Sequence, residues 1–336
     1  MADRVGGARI MVAMSTVGAV SLLLFPPLVS IWPQAAILLR CLLGLVQGPH
    51  YPSLGSLSSQ LVPAPRRPLF FSTALLGSPL GTILVGLVGS VLLEGLGWRA
   101  VVTLTGLLYA SSALWLYVLT RGQGVPARAA AGASAAVPWR GLLSSGRVWA
   151  CILAHMSHTT AWFLLISWLP SYFQRVHPQA EGWLVNTLPF VLNGAGTMTS
   201  VPLAAWLLRH QFSVTATRKL IEVGSQLISA AAMLALPRVS SSAAAVLLTS
   251  LSAGAVSLHA NGGLALPQDL CPQHVGALFG LMNTGGALAG FLSNLAAGYL
   301  LELHGDFEAV FHMVGGLALA GALVFAVFGS AERLKL

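Results

Sequence analysis

The sequence predicts an all-α protein that crosses a membrane many times, and three observations carry that prediction. Charged residues make up 8% of the 336 residues and apolar residues 56%, whereas soluble domains carry about 25% charged residues. Mean hydropathy is +0.79. The apolar residues fall in runs long enough for a membrane helix, and none alternates with the two-residue period of a transmembrane β-strand.

Ten segments read as spans: 10–27, 34–61, 69–93, 99–119, 147–174, 183–208, 217–236, 242–266, 273–301 and 307–328. Turn and charge clusters separate them, among them Pro63-Ala64-Pro65-Arg66-Arg67-Pro68, the stretch from Glu94 to Arg99, and His304-Gly305-Asp306. Met1 to Arg9 is charged and Gly-rich and leads straight into the first span, so no cleavable signal peptide is expected.

Placing residues 1–9 in the cytoplasm and alternating sides sorts the basic residues. Arg4, Arg9, Arg66, Arg67, Arg121, Arg128, Arg140, Arg147, Arg209, Arg218, Lys219, Arg333 and Lys335 fall inside; Arg99, Arg175 and Arg238 fall outside. That asymmetry is the positive-inside pattern. The net charge of +8 is therefore spread over several loops as a topology signal, and a nucleic-acid partner is excluded. Residues 120–146, Ala/Gly/Ser-rich and ending in Val137-Pro138-Trp139-Arg140, read as a flexible cytoplasmic linker. It divides the chain into 1–119 with four spans and 147–336 with six. Three cysteines, Cys41, Cys151 and Cys271, are too few for a disulfide framework or a metal site.

With the loop charges set aside, Arg40 stands out. It lies six positions into the second span, about 9 Å along a helix. Snorkelling to the nearby interface is one reading; facing a cavity is the other. Gly44, Gln47, Gly48 and Tyr51 follow at helical spacing, a polar and small stripe that favours the cavity. No acidic residue is expected at comparable depth. An unpaired guanidinium there suits a carboxylate or phosphate.

His155 and His158 share a helical face and read equally as packing histidines or substrate contacts, while His259, Asn261 and Asn283 are further polar groups within spans. Gly286, Gly290, Asn294 and Gly298 repeat every four residues, the pattern of a helix-packing seam. Glu222, close to Arg218-Lys219, reads most simply as half of an interfacial ion pair. No phosphate loop, HExxH helix or GxSxG elbow is present, so an enzyme is not predicted.

Four stretches carry a family likeness. Asp3-Arg4-Val5-Gly6-Gly7-Ala8-Arg9 resembles the cytoplasmic gating loop between the second and third helices of major facilitator transporters. Arg40 through Pro52 resembles the fourth helix of solute carrier family 17, the organic anion transporters. Trp168-Leu169-Pro170-Ser171-Tyr172-Phe173 resembles its seventh helix, and Gln268 through Gly276 with Gly280-Leu281-Met282-Asn283-Thr284 its tenth-to-eleventh loop. The chain departs from the family at Ala205, where an acid is usual, and at Leu266, where asparagine is usual.

The resemblance implies the major facilitator fold with ten of twelve helices. Helices 1 and 2 would be missing, leaving a partial N-terminal bundle over 1–119, the linker, and a six-helix bundle over 147–336. It also implies uptake of nucleotides such as ATP into secretory vesicles and lysosomes. The drive would be a membrane potential set by a proton pump; no cofactor is implied, and chloride is a possible activator. Arg40 would take the phosphates and Tyr51 or Trp162 the base. Glutamate, sialic acid, phosphate and urate are alternative solutes of that family, and a truncated chain without transport is a third reading. The expected absence of an embedded carboxylate favours a uniporter over a proton symporter.

Overall fold

The computed structural model describes residues 6–121 and 137–334. Asp3, Arg4 and the centre of the linker loop lie outside them. The described chain is helical: α1 (Gly7–Ile31), α2 (Ala35–Gln47), α3 (His50–Leu61), α4 (Arg67–Leu75), α5 (Gly77–Leu84) and α6 (Ser90–Arg121) come first. After the loop come α7 (Trp139–Leu143), α8 (Gly146–Val176), α9 (Gly182–Arg209), α10 (Val214–Ala235), α11 (Ser242–Ser257), α12 (Leu266–Leu270), α13 (Val275–His304) and α14 (Glu308–Phe328).

Eight described helices are long and apolar enough to cross a membrane, and all ten expected segments are helical over most of their length. Three are interrupted, one of them, 242–266, beyond Ser257. Segment 34–61 breaks at Gly48-Pro49 between α2 and α3, where Pro49 and Pro52 both lack an N–H to donate. Segment 69–93 breaks at Leu76 and then widens into a π-turn over Val85–Gly89, in a run rich in glycine. Elsewhere local chemistry sets the helix ends. The Ser213 hydroxyl accepts from Ala216 N–H at 3.1 Å and caps α10. Gly305, at φ 77, turns its N–H to Leu301 O at 2.9 Å and stops α13.

The described residues group into two compact units: Met1–Ala64, Leu87–Val137 and Pro272–Gly280 in one, Pro65–Gly86, Pro138–Cys271 and Leu281–Leu336 in the other. In the first, α1 lies against α3, α6 and α2. Gly7 begins α1 so close to α3 that an added Cβ would collide with the Ser53 carbonyl oxygen. Replacing Gly7 by alanine forces two backbones apart, and we expect a loss of about 1–3 kcal/mol of stability. Thermal unfolding of the purified protein in detergent measures it as a lowered midpoint.

In the second unit the core is built by Leu164, Leu169 and Tyr172 of α8, Met233 of α10, Val256 of α11, and Phe311 and Val314 of α14. Tyr172 meets Phe311 edge-on at 4.9 Å. The expected glycine stripe of α13 is a seam against α8. A Cβ on Gly286 would meet His155, and one on Gly290 would meet Phe163; Asn294 Oδ1 accepts from Trp168 Nε1–H at 3.0 Å. The opposite face of α13 exposes Leu288, Phe291, Leu295 and Tyr299. Small residues facing protein and large apolar ones facing outward is the membrane-helix pattern.

Candidate functional site

Two features hold the polar chemistry, one in each unit. Arg40 stands on α2 in the first unit, exposed, with its guanidinium carbon 5.5 Å from the centre of the Phe25 ring. A shallow recess around it is lined by Ser21, Leu22, Phe25, Leu39, Leu43 and Val102. No acidic side chain pairs with Arg40 among the described residues. Below it, a Cβ on Gly44 would meet nothing. Gln47 is exposed, and Tyr51 is half-buried edge-on to His50 at 5.7 Å. Of the expected gating loop, Gly6 is buried at φ 101, Gly7 is buried against α3, and Arg9 is exposed.

The second feature is a buried network inside the second unit, and it corrects the reading of Glu222. That side chain is fully buried and pairs with neither Arg218 nor Lys219. Its Oε2 lies 2.8 Å from His259 Nδ1 and accepts from Gly263 N–H at 2.8 Å; its Oε1 accepts from Gln226 Nε2 at 2.9 Å. Arg218 turns instead to Asp269 Oδ2 at 2.9 Å and to Asn261 O at 2.7 Å, and Lys219 donates to Ala326 O at 2.7 Å. An embedded carboxylate is therefore present, contrary to the sequence expectation. With a buried carboxylate present, the chain does not favour a uniporter over a proton symporter on that ground.

A break in the chain makes this pairing possible. The span expected over 242–266 leaves the α-helix at Ser257 and continues as short 3₁₀ turns over Leu258–Ala260 and Gly263–Ala265. Irregular backbone at membrane depth is tolerated where protein surrounds it. Here it swings His259 and the Gly263 N–H onto Glu222. A Cβ on Gly262 would come within 2.6 Å of Glu222 Oε2, and one on Gly263 within 2.8 Å of His259 Cε1. Only glycine admits the carboxylate so close.

The network continues into α8. His259 Nε2 lies 3.0 Å from His155 Nδ1. His158 donates from Nδ1 to Val256 O at 3.1 Å, and its ring stacks on His259 at 4.2 Å. Three imidazoles that the sequence scatters over two spans thus form one stack. Among the described residues no set of three His, Cys, Asp or Glu side chains is placed to hold a metal ion. Trp162, one turn beyond His158, is half-buried and meets Phe190 edge-on at 5.9 Å. Asn261 donates to the hydroxyls of Ser72 at 2.9 Å and Ser200 at 2.7 Å, tying the break to α4 and α9. Asn283 is half-buried on α13.

Sequence reasoning missed Glu222 and Gln226, although a signal existed. Arg218, Glu222, Ser225, Gln226 and Ser229 are all buried, at the three- and four-residue spacing of one helix face. A polar face buried within an apolar span marks the inside of a bundle.

Helices long and apolar enough to cross a membrane, eight among the described residues, define a polytopic membrane protein. The profile of the Major Facilitator Superfamily matches residues 1–294. The chain belongs to that superfamily, in its solute carrier family 17 branch. It is 33% identical over 352 residues to the human "voltage-gated purine nucleotide uniporter SLC17A9", covering 100% of this chain and 80% of the relative. The mouse protein of the same name is 32% identical, with 100% and 78% covered. A chloroplastic "sodium-dependent phosphate transport protein 1" of Arabidopsis thaliana is 27% identical, with 99% and 68% covered. Among solved structures, FucP in its outward conformation superposes with a TM-score of 0.75 at 14% identity, over 97% of this chain and 84% of that one. The proton:xylose symporter XylE gives 0.72 at 15%, over 99% and 83%. These two likenesses speak for the fold alone.

Proposed function

We propose that this protein carries organic anions across a membrane, that purine nucleotides are its substrates, and that membrane potential drives them. The observation that carries the anion is Arg40, an exposed guanidinium with no carboxylate partner among the described residues. Its planar fork fits phosphate oxygens. Tyr51 supplies a ring for the base. The names of the mammalian relatives support the nucleotide and the voltage.

Potential alone is a sufficient drive. Each charge moved through 100 mV is worth about 2.3 kcal/mol, so a nucleotide carrying three or four charges gains about 7–9 kcal/mol. The asymmetry of the loop charges supports a cytoplasmic side for residues 1–9, and a secretory vesicle or lysosome, made positive inside by a proton pump, is the membrane this fits; chloride is a candidate activator. The test is uptake of labelled ATP by the purified chain in vesicles with an imposed inside-positive potential. Uptake that follows the potential, and that unlabelled ADP and GTP compete away, is the expected result. Competition by phosphate, glutamate, sialic acid or urate instead of nucleotides would replace the substrate. No flux of any of these anions would end the transport reading.

A further inference from the structure

We infer that Glu222, His259 and His155 form a binding site for a single proton inside the second unit, loaded through His155. The inference is independent of which solute the protein carries. Its grounds are a count of hydrogens along the chain of contacts. Gly263 N–H and Gln226 Nε2–H both donate to the carboxylate. His259 Nδ1–H is its third donor, at 2.8 Å. His259 Nε2 then accepts from His155 Nδ1–H across 3.0 Å. That leaves His155 Nε2 with its lone pair and no hydrogen bond among the described residues. In this state the trio carries one net negative charge with Glu222 fully buried and His259 nearly so.

An uncompensated charge buried in a bilayer protein is costly, and nothing nearby cancels it. Arg218 is already matched by Asp269. His158 holds its proton against Val256 O. Cys151, one turn before His155 on α8, is buried and adds no positive charge. Among the described residues, α11 has no charged side chain, α9 has only Arg209 at its end, α13 has Glu302 and His304 in its last turn, and α14 has Glu308 and His312 in its first turns. Arg67 stands at the first position of α4. One proton added at His155 Nε2 removes the charge. The proton on His155 Nδ1 moves to His259 Nε2, and that on His259 Nδ1 moves to Glu222. The end state is a neutral carboxylic acid and two neutral imidazoles, with every hydrogen bond of the chain kept and its direction reversed. Gly286 makes the entry point possible, since a Cβ there would lie 3.0 Å from His155 Nε2.

The site can be read without any solute. Infrared difference spectra of the purified chain in lipid vesicles, stepped across about pH 4 to 9 to span carboxyl and imidazole titration, should show one buried carboxylic-acid band rising as pH falls. Glu222→Gln should delete that band, and His259→Gln should move its midpoint. A band unchanged in Glu222→Gln, or no such band in the parent protein, overturns the assignment. Because the variants could fold poorly, nitrogen-15 histidine spectra of the unaltered protein give a second reading. Two imidazoles that stay neutral while their protonated nitrogens change over the same pH interval support the relay. Histidine tautomers that stay fixed over that interval rule it out.

Discussion

Replacing Arg40 by alanine should reduce potential-driven ATP uptake at least about a hundredfold while leaving the protein folded. Two charge-assisted hydrogen bonds from one guanidinium to phosphate, at about 1.5–3 kcal/mol each, amount to about 3–6 kcal/mol. At about 1.4 kcal/mol per factor of ten, that is about two to four decades in rate or affinity. Folding should be nearly indifferent. Arg40 is exposed and has no ion pair among the described residues, and its contact with Phe25 is worth about 0.5–1 kcal/mol at such a site. Arg40→Lys keeps the charge and loses the planar fork, so it should retain part of the activity. Initial rates in vesicles, normalised to incorporated folded protein, decide the matter. Full uptake by Arg40→Ala would remove Arg40 from the substrate path.

The second large effect is on stability. His259→Leu strips Glu222 of its ring partner while the carboxylate stays buried. Removing one member of a buried pair costs about 3–5 kcal/mol. The double variant Glu222→Leu/His259→Leu removes the charge as well, and apolar replacement of a whole buried pair is often neutral. It should therefore recover most of the loss. The single variant should also be less damaged at acid pH, where Glu222 can take a proton and shed its charge. Reversible denaturant unfolding in detergent at neutral and acid pH measures all three quantities. Equal stability of His259→Leu and the parent protein at neutral pH would contradict a buried, ionised Glu222.

Much of this was legible in the residues, for reasons that are local. Span length and the seam of α13 are properties of short windows, and both are found in the structure. Arg40 drew notice because a single charge in an apolar window stands out against its neighbours, and the structure leaves it exposed on α2. Glu222 was not legible, because Arg218 and Lys219 offered a plausible partner within one turn. The real pairings are distant: Arg218 with Asp269 across 51 positions, and Glu222 with His259 across 37. Sequence spacing along one helix cannot register a partner delivered by a break in another. The break itself, at Ser257, sits in an apolar run, and only Gly262-Gly263 hinted at it.

The seam between α8 and α13 bears on how tightly the protein closes. Gly286 and Gly290 bring the helices together until His155 and Phe163 fill the space that side chains would otherwise hold apart, and Trp168 is tied to Asn294 further along. A packed protein interior leaves few gaps larger than a water molecule. Close packing at these contacts leaves little room for a continuous file of water between the two helices. A carrier has to be tight everywhere except along its own path, and the glycines of α13 let these two helices close on each other.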